Sequence, residues 1–559
     1  MSSGEGALIV QSDLSVLVEV DSPDYPAARA VIAVIAELEK SPEHVHTYRI
    51  TPLSIWNAAA AGRSATEAKE GLIAHAKYAV PPSVLAQVDE FFARWGKASL
   101  EAGGEEGSIE LVSHDSALTG RVQRDPWLVE HLVPIADGRW GLAPMHRGEI
   151  KQRVLKLGWP IDDRAGVRAG EDLSIVLRDD VFSLRGYQRE AVSIFLESGG
   201  HGVICLPCGG GKTVVALGAL AHLGKRALIL VTGHEAAEQW KRELIAKTSV
   251  PAESIGVYSG LGKEVKPITI ATYSILTAGA KTKAMKHFDI LCKEQWGIVV
   301  YDEVHLLPAP VFRLSAALQA TRRLGLTATL VREDGREGDV FSLIGPKRFD
   351  VPWRDLEQVG FIATARCIER RVSMPEDAFQ RYDVASEMHE RARLAADNPR
   401  KDEVVRELVQ MHQDDQILVI GTYLAQLDRI ASVLNAPLLT GETSHPRREE
   451  LYAAFRAGEL RVLVVSRVAN FAIDLPDASV LIQVAGTFGS RQEEAQRLGR
   501  ILRPKKKHSG SNEGGGAWFY ALVSQGTEEV EWARNRQRFL AEQGYGYEIE
   551  GLPVDRVGS

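Results

Sequence analysis

Cysteine is scarce, with four in 559 residues, too few for a disulfide scaffold. Cys205 and Cys208 have C-x-x-C spacing, but Cys292 and Cys367 stand alone, so no second pair completes a zinc site. His44 and His46 alternate on a predicted strand without an acidic or cysteine cluster beside them. Long apolar runs are missing too: the stretch 27–38 carries Arg29 and Glu37 and is too short to span a bilayer. The start, Met1 to Gly6, has no basic cluster, and Asp13 interrupts the first apolar stretch, so no signal peptide is expected and the predicted location is the cytoplasm. Nor is there an excess of positive charge. The net charge of −8 argues against indiscriminate binding to polyanions, although charge along a groove matters more than the total. Arg491, Arg497, Arg500, Arg503, Lys505, Lys506 and Lys507 form one basic concentration.

What is present is a long globular chain. Its 559 residues exceed one ordinary core, and three or four domains are expected. The 45% hydrophobic and 25% charged fractions are those of a packed, soluble protein. Residues 1–104 alternate strand-like runs, such as Ala7-Leu8-Ile9-Val10 and Val16-Leu17-Val18-Glu19-Val20, with amphipathic helical ones. Thr51-Pro52 supplies a cap and a first-turn proline ahead of Leu53-Ser54-Ile55-Trp56. The glycine- and glutamate-rich run 101–107 reads as a linker. A second small unit over 108–180 holds a helix around 149–156.

From 181 the grammar becomes strand, loop, helix. Val203-Ile204-Cys205-Leu206, Ala227-Leu228-Ile229-Leu230-Val231, Ile298-Val299-Val300-Tyr301 and Leu324-Gly325-Leu326 are short apolar runs between helical segments. Strands buried on both faces of a parallel sheet look like this. The pattern restarts at Ile417-Leu418-Val419-Ile420, Val462-Leu463-Val464-Val465, Val480-Leu481-Ile482-Gln483-Val484 and Trp518-Phe519-Tyr520-Ala521-Leu522. The predicted class is α/β, with parallel-sheet lobes over 181–355 and 401–548 preceded by small α+β units. Between the lobes, 356–400 reads as a linker and insert, whose stretch 375–399 is charged, helix-prone and too polar for a core.

The chemistry starts at Leu206-Pro207-Cys208-Gly209-Gly210-Gly211-Lys212-Thr213, between a strand and the helical Val214-Val215-Ala216-Leu217. A triphosphate needs backbone N–H donors at close range, a lysine for its β- and γ-phosphates, and a hydroxyl on Mg²⁺. Gly209, Gly210, Gly211, Lys212 and Thr213 provide these, with Leu206 where a first glycine is usual. Asp302 ends a buried strand, where its carboxylate reaches the ion that Thr213 also holds. Glu303 orients or deprotonates the attacking water, and His305 either couples the site onward or caps the next turn. Far downstream, Gln496-Arg497-Leu498-Gly499-Arg500-Ile501-Leu502-Arg503 places Arg500 and Arg503 on one helical face. Arginines brought to the γ-phosphoryl by a second lobe contribute about 10³ to 10⁵ in rate. ATP with Mg²⁺ is the expected cofactor pair, and the two-lobed arrangement points to a motor on nucleic acid.

These residues also carry a family resemblance. Gln496-x-x-Gly499-Arg500-x-x-Arg503, Asp302-Glu303-x-His305 and Thr327-Ala328-Thr329 resemble motifs VI, II and III of superfamily 2 helicases. Four runs are similar, more narrowly, to the XPB group (xeroderma pigmentosum group B) and to its bacterial members. They are Leu184-Arg185-Gly186-Tyr187-Gln188, the phosphate loop with its Leu206, Asp302 to His305 with Pro308-Ala309, and the run from Leu324 through Thr327-Ala328-Thr329 to Arg332-Glu333-Asp334. The resemblance is specific over 181–545. It extends more loosely over 7–100, where the run from Ser41 to Leu53 looks like the N-terminal domain of bacterial members.

The resemblance implies two RecA-like lobes, an accessory domain over 1–104 and a damage-recognition-like domain over 108–180. It implies ATP-dependent 3′-to-5′ unwinding of, or movement on, single-stranded and forked DNA, in repair of the nucleotide-excision type. Gln188 with Arg185 would read the adenine edge, since a carboxamide pairs with N6 and N7. Asp474 would lie near the nucleotide sugar, although Ala472 and Asn470 depart from the wider superfamily nearby. Arg332-Glu333-Asp334 would separate strands, and the insert near 375–397 would grip DNA as a thumb-like projection. Phosphate contacts would fall to Thr232, Thr272, Ser274, Thr422 and Arg467, with Tyr273 divided between contact and core. A translocase that pumps duplex, an RNA helicase and a nucleotide-gated clamp remain as alternatives; the runs 184–188 and 332–334 argue against RNA. The chain shows no nuclease constellation, so incision would require a nuclease or other repair protein as partner.

Overall fold

The computed structural model describes residues 6–40, 44–104, 108–143, 146–165, 170–207, 209–278, 286–304, 318, 320, 322–328, 337–351, 356, 365–466, 478–485, 517–542 and 547–551. Contacts divide the chain into two compact units: residues 1–350 save the short stretches 39–43 and 207–210, and residues 351–559 together with those two stretches.

The first unit contains three sheets. Leu8–Val10 (β1), Ser15–Glu19 (β2), Glu37–Lys40 (β3) and Val45–Arg49 (β4) lie in the order β1-β2-β4-β3. Val16, Val18 and Tyr48 are buried, as the two-residue strand period requires of one covered face. The helix Pro52–Ala60 begins with a reciprocal cap, Thr51 Oγ1 accepting the Ser54 N–H and Ser54 Oγ accepting the Thr51 N–H, both at 3.0 Å.

Ala98–Ala102 (β5), Ile109–Ser113 (β6), Leu132–Ala136 (β7), Arg139–Leu142 (β8) and Ile161–Asp163 (β9) make a second sheet, in the order β7-β8-β6-β5-β9. Here the structure differs from expectation. The run read as a linker joins β5 to β6, which pair antiparallel from Ala102 and Ile109 outward, with Gly103 N–H donating to Ser108 O at 2.9 Å. Glycine serves a hairpin turn as well as a linker, and composition does not separate the two.

The third sheet carries the chemistry. His201–Cys205 (β10), Ala227–Val231 (β11), Ile255–Tyr258 (β12), Ile268–Thr272 (β13), Ile298–Tyr301 (β14), Arg322–Thr327 (β15) and Lys347–Asp350 (β16) lie in the order β12-β13-β11-β14-β15-β10-β16. Every pair is parallel. Val203, Ile204, Ile229, Leu230, Val299 and Val300 are fully buried, which is why these strands read as unbroken apolar runs. Each such side chain contributes about 1.5–3 kcal/mol.

Polar and aromatic contacts fasten the two smaller sheets to this lobe. Asn57 Oδ1 accepts the Lys347 N–H at 2.9 Å, and Arg348 Nη1 donates to Ala60 O at 2.6 Å. Phe341 meets Trp56 and Trp95 with ring centroids 6.4 and 6.0 Å apart. From the second sheet, Gln152 Nε2 donates to Asp339 Oδ1 at 2.8 Å. Asp163 accepts from Arg147 at 2.6 Å and from Lys151 at 2.8 Å, and none of the three side chains is more than 6% exposed. Burial pushes the Asp163 carboxyl up, but the charges of Arg147 and Lys151 outweigh it and, with Arg323 on β15, hold it well below the usual carboxylate range.

The second unit is one seven-stranded parallel sheet. Ala365–Val372 (β17), Ile417–Gly421 (β18), Leu438–Leu439 (β19), Val462–Ser466 (β20), Val480–Gln483 (β21), Ala517–Ser524 (β22) and Tyr547–Gly551 (β23) lie in the order β19-β20-β18-β21-β22-β17-β23. The charged stretch expected to be too polar for a core forms the helices Glu376–Val384 and Met388–Ala396, and their Ala378, Tyr382, Ala392, Ala395 and Ala396 are buried. Alanine hid that face from a search for large apolar side chains. Tyr382 OH accepts the Glu528 N–H and Arg391 Nη2, both at 3.0 Å. The buried Lys401 Nζ pairs with Glu529 Oε2 at 2.7 Å. Among the described residues, no helix is long and apolar enough to cross a membrane.

Candidate functional site

The site lies at the carboxyl ends of the β10–β15 strands, where parallel α/β sheets place their ligands. β10 is tied to β15 beyond its last residue by Leu206 N–H donating to Thr327 O at 3.0 Å. Gly209 and Gly211 take φ of +81° and +80°, values that suit glycine. A Cβ on Gly211 would come 2.4 Å from Gln188 Nε2. The loop leads into the helix Lys212–Leu223, whose dipole favours an anion at this end. Cys205 is buried immediately before the loop; burial pushes its thiol far up, which makes it inert, and Cys208 lies outside the described residues.

Lys212 Nζ stands 3.2 Å from Glu303 Oε1. Glu303 has φ +48°, a left-handed conformation that a non-glycine residue holds only when its surroundings impose it. Its N–H donates to Asp302 Oδ1 at 3.0 Å. Asp302 keeps part of its surface exposed, yet burial, and then the charge of Glu303, push its pKa up to about 6. Among the described residues, two carboxylates stand beside one ammonium at the mouth of the loop.

Two hydrogen bonds to Asp302 were not foreseen. Trp240, from the helix His234–Lys247, donates Nε1–H to Asp302 Oδ2 at 2.8 Å. Tyr273 donates its hydroxyl to Asp302 O at 2.6 Å. Trp240 sits in the buried stripe Ala237, Trp240, Leu244, where sequence reading sees only core. The available signal was that a buried indole N–H needs an acceptor. Tyr273, divided between contact and core, is 4% exposed and is core.

Of the other expected residues, Gln188 is buried at the start of the helix Gly186–Glu197, its Oε1 accepting the Arg185 N–H at 2.9 Å. Thr213 is half-buried on the first turn after the loop. Thr232 and Ser274 are exposed just past β11 and β13, while Thr272 is buried with its hydroxyl 3.2 Å from that of Ser274. In the second unit Thr422 is half-buried at the end of β18. Arg332, Glu333, Asp334, Arg467, Asp474, Gln496, Arg500 and Arg503 lie outside the described residues, as do His305 and Thr329. Among the described residues no group of three or more His, Cys, Asp or Glu is placed to hold a metal ion.

Comparison with known proteins supplies the rest. The family model described as ERCC3/RAD25/XPB C-terminal helicase matches residues 356–552. One described as type III restriction enzyme, res subunit, matches 181–332, and one described as helicase conserved C-terminal domain matches 8–134. A Mycobacterium tuberculosis protein named DNA 3′-5′ helicase XPB is 52% identical over 546 residues, 98% of each chain. A Kineococcus radiotolerans protein of the same name is 51% identical over 98% of this chain and 96% of its own. The Antonospora locustae general transcription and DNA repair factor IIH helicase/translocase subunit XPB is 32% identical over 97% of this chain and 81% of its own.

Proposed function

The chain belongs to the XPB helicase family, and we propose on that premise that it is an ATP-dependent 3′-5′ DNA helicase or translocase of superfamily 2, working in nucleotide-excision-type repair in the cytoplasm. The observation that carries the reading is the constellation at the carboxyl end of the third sheet. Lys212 at the head of a glycine loop meets Glu303 at 3.2 Å, with Asp302 adjoining.

The geometry around Lys212 and the family support the following roles. The amides of Gly209, Gly210 and Gly211 cradle phosphates, and Lys212 exchanges Glu303 for the γ-phosphate. Glu303, released, takes a proton from the attacking water. Thr213 and Asp302 offer a hydroxyl and a carboxylate, a hard oxygen set that fits Mg²⁺, and the two carboxylates beside Lys212 suit a dication. That ion, when bound, neutralises charge developing on the phosphates. Arg185 and Gln188 serve the adenine; Asp474, Gln496, Arg500 and Arg503 belong to the second lobe's share of the nucleotide site. Thr232, Thr272, Ser274, Thr422 and Arg467 hold backbone phosphates of DNA without reading sequence, and Arg332, Glu333 and Asp334 part the strands. A nuclease or other repair protein would complete the pathway.

The test is ATP turnover with single-stranded DNA, duplex, fork and RNA, alongside strand displacement from tailed duplexes. Stimulation by DNA and displacement from 3′ tails are expected. Displacement only from 5′ tails would remove the polarity, and stimulation by RNA alone would remove the substrate.

A further inference from the structure

Asp302 is held from two sides by the elements that carry the proposed DNA contacts. β13, β11 and β14 are neighbours in the sheet, with Val231 opposite Thr272 and Leu230 opposite Tyr301. Past β13 the chain turns through Thr272 into the short helix Tyr273–Thr277, with Ser274 facing solvent and Tyr273 turned inward to Asp302 O. Past β11 it runs through the exposed Thr232 into the helix His234–Lys247, whose Trp240, 2% exposed, reaches Asp302 Oδ2. Each loop thus offers a hydroxyl outward and sends an aromatic donor inward, and both donors end on the same residue.

The atom that Tyr273 holds has a particular consequence. Asp302 C=O belongs to the peptide whose N–H is that of Glu303, and that N–H is itself donated to Asp302 Oδ1 at 3.0 Å. The rotation of this peptide plane sets the φ of Glu303, which stands at +48°. Fixing the carbonyl with a 2.6 Å hydrogen bond fixes the plane, and with it the direction in which the Glu303 carboxylate leaves the backbone. Trp240 fixes the Asp302 carboxylate in the same way.

We infer that Tyr273 and Trp240 are positioning residues that make the placement of Asp302 and Glu303 depend on what the loops at Thr232 and at Thr272 to Ser274 are touching. DNA seated on those loops would set the two aromatic hydrogen bonds, and the bonds would set the carboxylates for hydrolysis. The inference rests on the reading of these loops as DNA contacts, and the two are tested separately.

The experiment uses the full chain with Tyr273→Phe, which keeps the ring and removes the donor, and Trp240→Phe, which removes the donor and puts a smaller ring in place of the indole. ATP turnover is measured with and without a single-stranded oligonucleotide, and oligonucleotide affinity by fluorescence anisotropy. The expected result is a fall of about tenfold in the ratio of stimulated to basal turnover, the size of one lost buried hydrogen bond, at unchanged oligonucleotide affinity. A ring that merely fills the core would lower both rates by one factor; an unchanged ratio in both variants overturns the inference. Should Tyr273→Phe fail to fold, Trp240→Phe reads the same ratio from the other loop. A Thr232→Ala, Ser274→Ala double variant tests the contacts themselves, with weaker oligonucleotide affinity expected. Lost affinity there with an intact ratio in the aromatic variants sinks the coupling alone. Retained affinity sinks the contact reading, and the coupling with it.

Discussion

Lys212 and Glu303 pair at 3.2 Å across the phosphate loop, with side chains 11% and 20% exposed. The ammonium proposed to hold a triphosphate is thus already engaged by the carboxylate proposed to activate water, and on that reading the two ligands compete. Glu303→Gln is expected to abolish turnover and to tighten ATP binding, because the lysine is released. Titration with a fluorescent ATP analogue measures this, and weaker binding would mean that the pair does not compete. Lys212→Ala should lower turnover by about 10²-fold or more while leaving DNA affinity largely intact.

Gly211 tolerates no side chain for two separable reasons, its φ of +80° and the 2.4 Å approach of Gln188 Nε2 to a would-be Cβ. Gly211→Ala should weaken ATP binding, with the backbone part costing about 1–2 kcal/mol. Adding Gln188→Ala relieves the contact but not the backbone strain, and its own loss at the adenine is subtracted by the single variant. A double-mutant cycle of ATP affinities should therefore show partial rescue, measurable as a coupling between the two sites.

His46 makes the N-terminal sheet sensitive to acid. Burial, and then the charge of Arg29, lower its pKa to about 4. Between its unfolded value near 6.5 and about 4 the unfolded chain binds a proton that the folded chain refuses. Stability is therefore full above the unfolded value and falls as pH drops through this window, by up to about 1.4 kcal/mol per pH unit. Thermal unfolding from pH 7 to pH 4 should show this slope, and His46→Phe should flatten it.

Asp163 is paired with both Arg147 and Lys151. Asp163→Ala strands two buried cations and should cost about 3–5 kcal/mol. Lys151→Met keeps the apolar stem and leaves Arg147 paired, so it should cost less. Burial first, against the pull of Asp163, already lowers the Lys151 pKa to about 8, which shows how little hydration that ammonium retains. Chemical denaturation of the two variants ranks them, and a larger loss for Lys151→Met would contradict the network.

The strands that bear the site were legible because burial on both faces leaves an unmistakable apolar run: Ile298 to Tyr301 is β14 to the residue. Glycine, lysine and acidic motifs singled out Gly209 to Thr213, Asp302 and Glu303, and the structure brings Lys212 to Glu303 with Asp302 adjoining. Edge strands were not legible. Three of the four residues of Lys347–Asp350 are charged and the strand pairs on one side only, so no apolar pattern is demanded of it. Trp240 and Tyr273 were hidden for the opposite reason: their rings obey the core pattern, and one polar atom at the tip does the distinguishing. The contacts of Asn57 with Lys347 and of Gln152 with Asp339 join residues 290 and 187 positions apart, distances over which no local pattern extends.

The seam of Asn57, Ala60, Trp56 and Trp95 against Phe341, Lys347 and Arg348 has a consequence for anyone seeking a minimal motor. A fragment begun near residue 181 would uncover the Phe341 ring and strip Arg348 of one acceptor. It would also leave Arg323, 3% exposed in the intact chain, facing water where Asp163 had been. Such a truncated lobe would expose apolar surface that the intact chain covers, so the front third of the chain shields the lobe that follows it.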